Sequence, residues 1–455
     1  MLKRFVFCLI FLFIPLLFSA YAQDVPVNND RVVQLFKADT LVNTELGVFA
    51  VYLTLKPDNS HELFVAKIDK NGGVSGQTRV EFDGVKPLRA SLISSGDRLL
   101  LFCHVKANDG SKYLYVMESG DGGKNFQKMA ALNTTKDVLS PFTVVKSGAN
   151  IYVAWIDERR QSGHQIYFNY SLDGGKSFQS SDMSLTADML SGALPTIVAE
   201  GPEAHFFYTS VGKDKPVGMY YRHTKDGGKT WSDAVLVTAY EAVWQPADIQ
   251  ALKLKDGSLL VFWYGKGIHA SSSKDGINWT GRQIIASNDE DFVYHIKTEV
   301  NGGSIYLAAN WGNLQYARLK VKPSIYMFRS DDYGKSWIGP GDIRKYKYSS
   351  TSAFEPKLSF SKDGKFAVSV WQDHRNIRGS AYINHSADGG VTWSEKSISL
   401  DSEPGKFDSY SPVIISSGDD FYAAWYRTRN DLRQEFDLII KKISKDDIIR
   451  DSARR

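Results

Sequence analysis

The chain has 455 residues, of which 23% are charged and 13% aromatic, and its formal net charge is +4. This composition is too apolar and too rich in aromatic rings for a disordered chain, and the small charge predicts no nucleic-acid or membrane-surface partner. Two cysteines exclude a disulfide scaffold and a multi-cysteine metal site. The length corresponds to about three average domains, or to one domain built by repetition.

Residues 1–22 have the pattern of a secretory signal peptide. Basic residues precede an apolar stretch from Phe5 to Ala20, and a small-x-small cleavage site ends at Ala22. The apolar stretch is shorter than the ~20 residues of a membrane span. We therefore predict one mature domain over residues 23–455, secreted or periplasmic, with no transmembrane segment after cleavage.

One short phrase recurs six times. Each copy begins with Ser or Thr, has an Asp two positions later and closes with Phe or Trp. Successive Asp residues are 52, 53, 49, 57 and 56 positions apart, and the fourth copy is one residue shorter than the others. Such spacing is the signature of a repeat architecture. The copies are Ser119–Phe126, Ser171–Phe178, Thr224–Trp231, Ser273–Trp279, Ser330–Trp337 and Ser386–Trp393.

Each phrase is interpreted as a turn between two strands. Asp followed by Gly favours a turn, because the carboxylate accepts backbone N–H groups and Gly tolerates positive φ. The Ser or Thr hydroxyl satisfies a further turn group, and the closing aromatic residue re-enters the sheet. A calcium loop is the alternative, but there is no twelve-residue loop with a closing Glu.

Four strands are predicted around each phrase, which is typical of an all-β propeller blade. A degenerate copy of the unit ends at 69–73, and three further strands follow the sixth phrase. The segment Arg31–Phe36 is predicted to supply the missing fourth strand from the other end of the chain. We therefore expect a β-propeller of eight four-stranded antiparallel blades, with seven or six as alternatives. Cys103, in an apolar run, is predicted to be a buried strand residue.

The six phrases resemble the Asp-box, or bacterial neuraminidase repeat, of the sialidase-like propeller superfamily. The resemblance covers roughly residues 40–447 and implies the architecture, since the boxes of this family lie away from its active site. Sialidases use a Tyr nucleophile assisted by Glu, an Asp acid/base and three Arg that hold the substrate carboxylate. Function has to be argued from the central channel.

Four residues match parts of that catalytic pattern. Arg89 resembles the first arginine, although the residues around it depart from the family phrase. Asp109 lies where the acid Asp is expected, and Tyr410, followed by Ser, resembles the nucleophile. Glu355 could assist it. The second and third arginines have no counterpart at the predicted strand starts, so exo-sialidase activity is the less favoured prediction. A plain turn is the alternative for Asp109, and a generic strand start for Tyr410.

A second set of residues combines Trp with Asp and Arg. Two units end their second strand with Trp-x-Asp-x-Arg, which contains Asp157 in one copy and Asp373 in the other. These residues either contact sugars at a channel mouth or form structural Asp–Arg pairs, and their recurrence favours structure. Residues that break the repeat are better candidates for ligand contact, because each heads a predicted inner strand. They include Trp244, Gln245, Tyr294 and His295, besides Arg89, Glu355 and Tyr410.

Two functions follow as hypotheses. The first is a monomeric propeller that binds a carbohydrate or envelope-protein ligand at its central channel. The second is a sialidase-like glycoside hydrolase, in which Asp109 or Asp157 would work with Glu355 as acid and base. Neither hypothesis calls for a cofactor or a metal.

Overall fold

The computed structural model describes residues 26–27, 40–56, 58, 60–160, 163–212, 214–240, 248–265, 267–287, 292–312, 323–346, 351–429 and 435–454. They form eight antiparallel sheets, and the strands of each sheet are consecutive in sequence. The predicted signal peptide and the predicted closing strand Arg31–Phe36 lie outside the described residues. The first four sheets contain β1 Leu41–Thr44, β2 Gly47–Leu55, β3 His61–Ile68 and β4 Val74–Val80; β5 Val85–Ser95, β6 Arg98–Ala107, β7 Lys112–Ser119 and β8 Gln127–Ala131; β9 Val138–Ser147, β10 Asn150–Asp157, β11 Gln165–Ser171 and β12 Met183–Ser184; β13 Met189–Glu200, β14 Glu203–Gly212, β15 Gly218–Thr224 and β16 Val235–Ala239.

The second half of the chain repeats this plan and ends in a helix. Its elements are β17 Ile249–Lys253, β18 Leu259–Gly265, β19 Gly267–Ser273 and β20 Gln283–Ala286; β21 Phe292–Asn301, β22 Ser304–Gly312, β23 Ser324–Ser330 and β24 Ile338–Asp342; β25 Ala353–Phe360, β26 Ala367–Asn376, β27 Arg378–Ser386 and β28 Ile398–Ser399; β29 Ser409–Ser417, β30 Asp420–Thr428 and β31 Phe436–Ile443; and α1 Lys445–Arg454.

The eight sheets are the blades of one ring. Each first strand packs against the first strands of both neighbouring blades, and the cycle closes where β1 packs against β29 and β5. The first strands therefore line the centre, as in a β-propeller. The predicted fold class and the predicted number of eight blades are confirmed.

The second strand of each blade is enclosed by protein on both faces. In β6, every residue from Leu99 to Val105 is buried, and Cys103 is completely buried, as predicted. Such a strand needs an unbroken apolar run, because neighbouring blades cover it from two sides. The recurring tryptophans of these strands, Trp155, Trp371 and Trp425, are also fully buried. The apolar core is thus distributed between blades.

The six repeated phrases form turns between the third and fourth strands. In the second copy, the Ser171 hydroxyl donates to Asp173 Oδ1 (2.7 Å) and accepts from the Gly175 amide (2.8 Å). The same Asp173 oxygen accepts the amides of Lys176 and Ser177 at 2.9 and 3.0 Å. One carboxylate therefore fixes the turn, which confirms the structural interpretation.

The first and last blades close the ring together. The last blade has three described strands, and Pro26 forms an antiparallel bridge to Ile439 beside the outer strand β31. The Val27 amide donates to the Leu438 carbonyl oxygen at 2.9 Å. Pro26 and Val27 thus pair with the outer strand of the last blade, at the position of its fourth strand, whereas the predicted segment Arg31–Phe36 lies outside the described residues.

The carboxy-terminal helix α1 was not predicted. Its first turn is capped by Ser444, whose hydroxyl accepts the Asp447 amide at 3.1 Å and donates to the Asp447 carboxylate at 2.6 Å. Ile448 is buried against the core of the last two blades. The Ser-x-x-Asp spacing is the sequence signal of such a helix start.

Candidate functional site

The two ends of the ring carry different residues. In the blade of β17–β20, Ile249 at the start of the first strand pairs with Trp263 near the end of the second. At the other end of the blade, Leu259 pairs with Ser273, where a repeated turn begins. We call the end where first strands begin the channel face, and the other end, which carries the turns that resemble Asp-boxes, the Asp-box face. Ligand sites of propellers are expected in the central channel.

Three first strands have an irregular start at the channel face. Leu194, Glu355 and Ser411 have φ values of 55°, 56° and 47°, and each lies at a bulge and precedes a proline. A non-glycine residue in the left-handed region is uncommon and re-aims its side chain. Side chains of a regular strand point alternately to its two faces, and the bulge interrupts this alternation at Glu355.

Glu355 belongs to the same part of the ring as two other polar groups, since β21 packs against both β17 and β25. The negative charges of Asp248 and Glu355 both act on the phenol of Tyr264, although the three residues belong to two different blades. Asp248 heads β17, where its carboxylate accepts the Ile249 amide at 2.9 Å and the Gln250 side-chain amide at 3.5 Å. Two carboxylates and a phenol therefore belong to this part of the channel face.

Tyr264 remains a neutral phenol in this setting. Burial first, and then the charges of Asp248 and Glu355, raise its pKa well above the ordinary phenol value of about 10. A protonated hydroxyl donates a hydrogen bond, whereas the neighbouring carboxylates only accept. The group suits a ligand with hydroxyls that both donate and accept. It does not suit a phenolate nucleophile, which would need a lowered pKa.

His295 belongs to the blade between Asp248 and Glu355. It lies after a bulge of β21, is half-buried and is paired with Asn310 of the next strand. Its strand packs against both β17 and β25. The preceding residue, Tyr294, is in the strand, but its side chain is outside the description. The fifth, sixth and seventh blades thus form one arc of the ring, to which Asp248, His295 and Glu355 belong.

Tyr410 heads the first strand of the next blade, and this strand, β29, packs against β25. Its ring meets that of Phe436 edge to face, with centroids 5.8 Å apart, and it packs against the core between the last and first blades. Tyr410 therefore extends the arc of Glu355 by one blade, with its ring largely held by apolar neighbours.

Arg89 and Asp109 belong to the second blade, away from this arc. The guanidinium carbon of Arg89 lies 5.3 Å from the centre of the Phe142 ring. Asp109 is an exposed turn residue that accepts the Ser111 amide at 2.9 Å and lies 3.7 Å from the Lys136 ammonium. Serine hydrogen bonds, from backbone and side chain, lower the pKa of Asp109, which keeps it ionised at neutral pH and unsuited to act as an acid.

Asp157 is enclosed in an ion-pair cluster. Its side chain is 0% exposed, and Arg159 Nε and Nη2 donate to its two oxygens at 2.8 and 2.7 Å. The same guanidinium binds Asp182 at 2.7 Å, and Asp182 also accepts the Thr134 amide and hydroxyl. These bonds join the end of β10 to the connection that enters the blade. As a substrate-binding residue, Asp157 is therefore out of reach.

Asp373 has an equivalent position in the seventh blade. Arg344 Nε and Nη2 donate to its two oxygens at 2.9 and 2.7 Å, and Arg375 Nη2 donates at 2.7 Å. The Trp371 indole N–H donates to the same carboxylate at 2.9 Å. Burial raises the pKa of Asp373, but the hydrogen bonds and charges of Arg344 and Arg375 outweigh this effect and lower the pKa to about 2. Asp373 also has a structural role, as the recurrence of the motif favoured.

Sequence reasoning missed Asp248 and Tyr264. One signal was present: where two other units continue Trp-x-Asp, the fifth unit has Trp263 followed by Tyr264 and Gly265. This blade therefore lacks the buried Asp at that position and carries a phenol near it. Trp244 and Gln245, two predicted ligand contacts, lie outside the described residues.

The described residues contain no group of three or more His, Cys, Asp or Glu side chains arranged to hold a metal ion. Within the same part of the chain, no helix has both the length and the apolar character that crossing a bilayer requires.

Comparisons with known proteins return structural likeness only. No protein-family model matches the chain, and no curated protein matches it by sequence. Solved structures that resemble it include a PL25 ulvan lyase bound to a GlcA–Rha3S unit, with 11% identity, 94% of this chain and 98% of the other covered, and a TM-score of 0.47. YCF48 bound to a D1 peptide has 13% identity, coverage of 80% and 97%, and a TM-score of 0.44. The sialidase of Trypanosoma rangeli has 10% identity, coverage of 73% and 58%, and a TM-score of 0.37.

Proposed function

We propose that this chain is an Asp-box propeller that binds a glycan at the channel face. The observation that carries the proposal is the group of Asp248, Tyr264 and Glu355. These residues come from two blades, and the two carboxylates act on one phenol. They belong to the same part of the ring because β21 packs against both β17 and β25, and not because of neighbouring positions in the sequence.

The chemistry of the group favours a hydroxyl-rich ligand. With its pKa raised, the Tyr264 phenol stays protonated and is a hydrogen-bond donor, and the carboxylates are acceptors for hydroxyl groups. A hydrogen bond to a charged group contributes about 1.5–3 kcal/mol, roughly 10- to 100-fold in affinity. Two negative charges disfavour an anionic sugar at this place, which agrees with the incomplete set of arginines. The proposed ligand is therefore a neutral glycan or a neutral part of one.

The resemblance of the six turns to Asp-boxes supports the same conclusion. It implies a superfamily of secreted, glycan-active propellers, and the predicted signal peptide is consistent with an extracellular or periplasmic location. The proposed protein works as a monomer and uses no cofactor. An envelope protein is the alternative ligand, and it would present backbone amides and not hydroxyls to the same carboxylates.

The proposal is tested by binding to an array of neutral and sialylated oligosaccharides. We expect wild-type protein to retain neutral oligosaccharides, and Glu355→Gln and Asp248→Asn to weaken retention by at least ten-fold. Tyr264→Phe removes the donor with little change of volume and should also weaken it. Asp97→Asn, at an exposed turn of the Asp-box face, is the matched control. Retention that none of the three channel-face variants changes would exclude this site.

Glycoside hydrolysis is the second candidate, because a pair of carboxylates usually supplies the acid and the base of this reaction. Asp248 and Glu355 then replace the predicted combination of Asp109 or Asp157 with Glu355. A panel of aryl glycosides, including a sialoside, tests this idea. Release of the aryl group that Asp248→Asn and Glu355→Gln both reduce would establish hydrolysis. Binding without any release would establish the binding protein.

A further inference from the structure

The repeated turns of the fifth and sixth blades depart from the pattern of the other turns. Four of the five eight-residue copies have Gly directly after the Asp, at φ values of 73–78°. The copy Ser330–Trp337 has Tyr333 at this position, with φ 63°. The shorter copy Ser273–Trp279 has one residue fewer in the turn. Its Gly276 follows Asp275 directly and donates its amide to Ser273 Oγ at 2.9 Å, as the second Gly, Gly175, does to Ser171 in a full-length copy. One turn is thus shortened, and its neighbour has gained an exposed ring.

The two departures line the same groove on the Asp-box face. The groove has a volume of about 410 Å³, and both turns contribute to its walls. This volume lies within the ~300–1,000 Å³ of small-molecule sites. Residues of the groove with a charge, a carboxamide or an aromatic ring are Asp256, Lys274, Asp275, Asn278, Gln283, Tyr333 and Lys335.

Tyr333 is held in a strained backbone conformation. A left-handed φ is unfavourable for a residue with a side chain, and such outliers persist where the surroundings or a function require them. The ring is 40% exposed, so core packing does not explain it. An exposed ring beside a polar groove is suited to stack against the apolar face of a sugar.

The polar groups of the groove retain free capacity for a ligand. Asp256 Oδ1 accepts the Ser258 amide and hydroxyl, while its Oδ2 accepts no hydrogen bond from the described residues. Asn278 donates its side-chain amide to Asp275 and keeps its own oxygen available. The side-chain amide of Gln283 has no hydrogen bond within the described part of the chain. Acceptors and donors are therefore both present.

The charges of the groove balance. Asp256 and Asp275 face Lys274 and Lys335 around the same space, so the groove offers no net attraction to an anion or a cation. A neutral ligand with hydroxyls and apolar C–H faces fits these properties. We propose that this groove is a saccharide-binding site, separate from the channel face and specific for neutral sugars.

The site is physically independent of the channel-face group. Leu260 of the groove and Tyr264 lie towards opposite ends of β18. The proposal goes beyond the proposed function, because either site can fail without the other. A second site on one chain would also raise the apparent affinity for long glycans.

The experiment measures binding of arrayed neutral oligosaccharides to the full chain in a Glu355→Gln background, in which the channel-face contribution is expected to be at least ten-fold weaker. Tyr333→Gly restores the residue of four other turns and relieves strain, so we expect an unchanged or higher melting temperature and at least ten-fold weaker binding. Gln283→Ala should weaken binding as well. Gly122→Tyr is the matched control, because it places a ring at the same turn position where nothing lies within 4 Å; it should leave affinity unchanged.

The outcomes separate the two sites. Binding that survives Glu355→Gln and falls in Tyr333→Gly supports the groove. Binding abolished by Glu355→Gln alone, or equal in Tyr333→Gly and the parent protein, overturns it. If Glu355→Gln changes nothing and Tyr333→Gly removes all binding, the channel-face proposal fails and the groove remains.

Discussion

The guanidinium of Arg344 lies flat against the carboxylate of Asp373 in the interior of the ring, and their side chains are 2% and 0% exposed. Arg344 precedes the seventh blade and also donates to the Thr351 carbonyl and hydroxyl oxygens, both at 2.7 Å. Asp373 ends the second strand of that blade. The pair therefore fixes the connection that enters the blade to the blade itself.

We expect Asp373→Ala to lower the free energy of unfolding by about 3–5 kcal/mol, because it leaves a buried guanidinium without its partner. Asp331→Ala is the control, since it removes a carboxylate paired with Arg329 at a more exposed site, where about 0–1 kcal/mol is expected. Urea unfolding of both variants provides the comparison. Similar losses in the two variants would show that the buried pair has no special role.

Histidine burial should make the protein less stable in mild acid. Burial lowers the pKa of His104 to about 4, below the ~6.5 of an unfolded chain, while its Nε2 lies 3.1 Å from the Val138 carbonyl oxygen. The unfolded state gains a proton as pH falls from about 6.5 to 4, and the folded state does not. Stability then falls by roughly 3 kcal/mol for this residue.

The substitution His104→Gln keeps an amide donor and removes the titration. We expect its melting temperature to decline less between pH 7 and pH 5 than that of the wild type. His164→Gln, at an exposed position, should retain the full decline. The check is thermal unfolding followed by circular dichroism across this pH range, and identical curves for wild type and His104→Gln would contradict the assignment.

The repeated turns should give a second acid transition at lower pH. The hydroxyl and amide of Thr230 hold the pKa of Asp226 at about 2, and Ser336 does the same for Asp332. Their stabilising contribution is complete above the unfolded value of about 3.9 and is lost as pH falls towards 2. We expect Asp226→Asn to unfold with less dependence on pH between 4 and 2. An unaltered acid transition would argue against this role of the turn.

Ring closure should depend on Val27. Its amide bonds to Leu438, and its side chain packs on the core between the first and last blades. Val27→Asp places a charge against this core and should lower the melting temperature by several degrees, as is typical of a polar group buried without a partner. Val74→Asp, at an exposed strand position, should have little effect. Equal melting temperatures of Val27→Asp and wild type would show that the bridge is dispensable.

The sequence was sufficient for the fold because each blade repeats its own local signals. The Asp carboxylate, the Gly residues and the closing ring of each turn act within eight residues, so their spacing is visible without a structure. The helix after Ser444 had an equally local signal in its capping pattern. The candidate site was less predictable. Glu355 heads an inner strand and was predicted, but Asp248 and Tyr264 belong to another blade and come to the same part of the ring only through packing of the blades. For Asp157 and Asp373 the motif allowed either ligand contact or an Asp–Arg pair, and its recurrence favoured the pair that the structure contains.

The bridge between the two ends of the chain has a consequence for biosynthesis. The Thr40 hydroxyl meets the Tyr426 hydroxyl at 3.1 Å across 386 positions of sequence, and Pro26 reaches the outermost strand of the last blade. A ribosome delivers the first of these partners long before the second. The strands of the early blades can pair within each blade during translation. The contacts between the first and last blades form only when translation is nearly complete. Until then the exposed edge of the first blade is open to chaperones and to mispairing with other nascent chains.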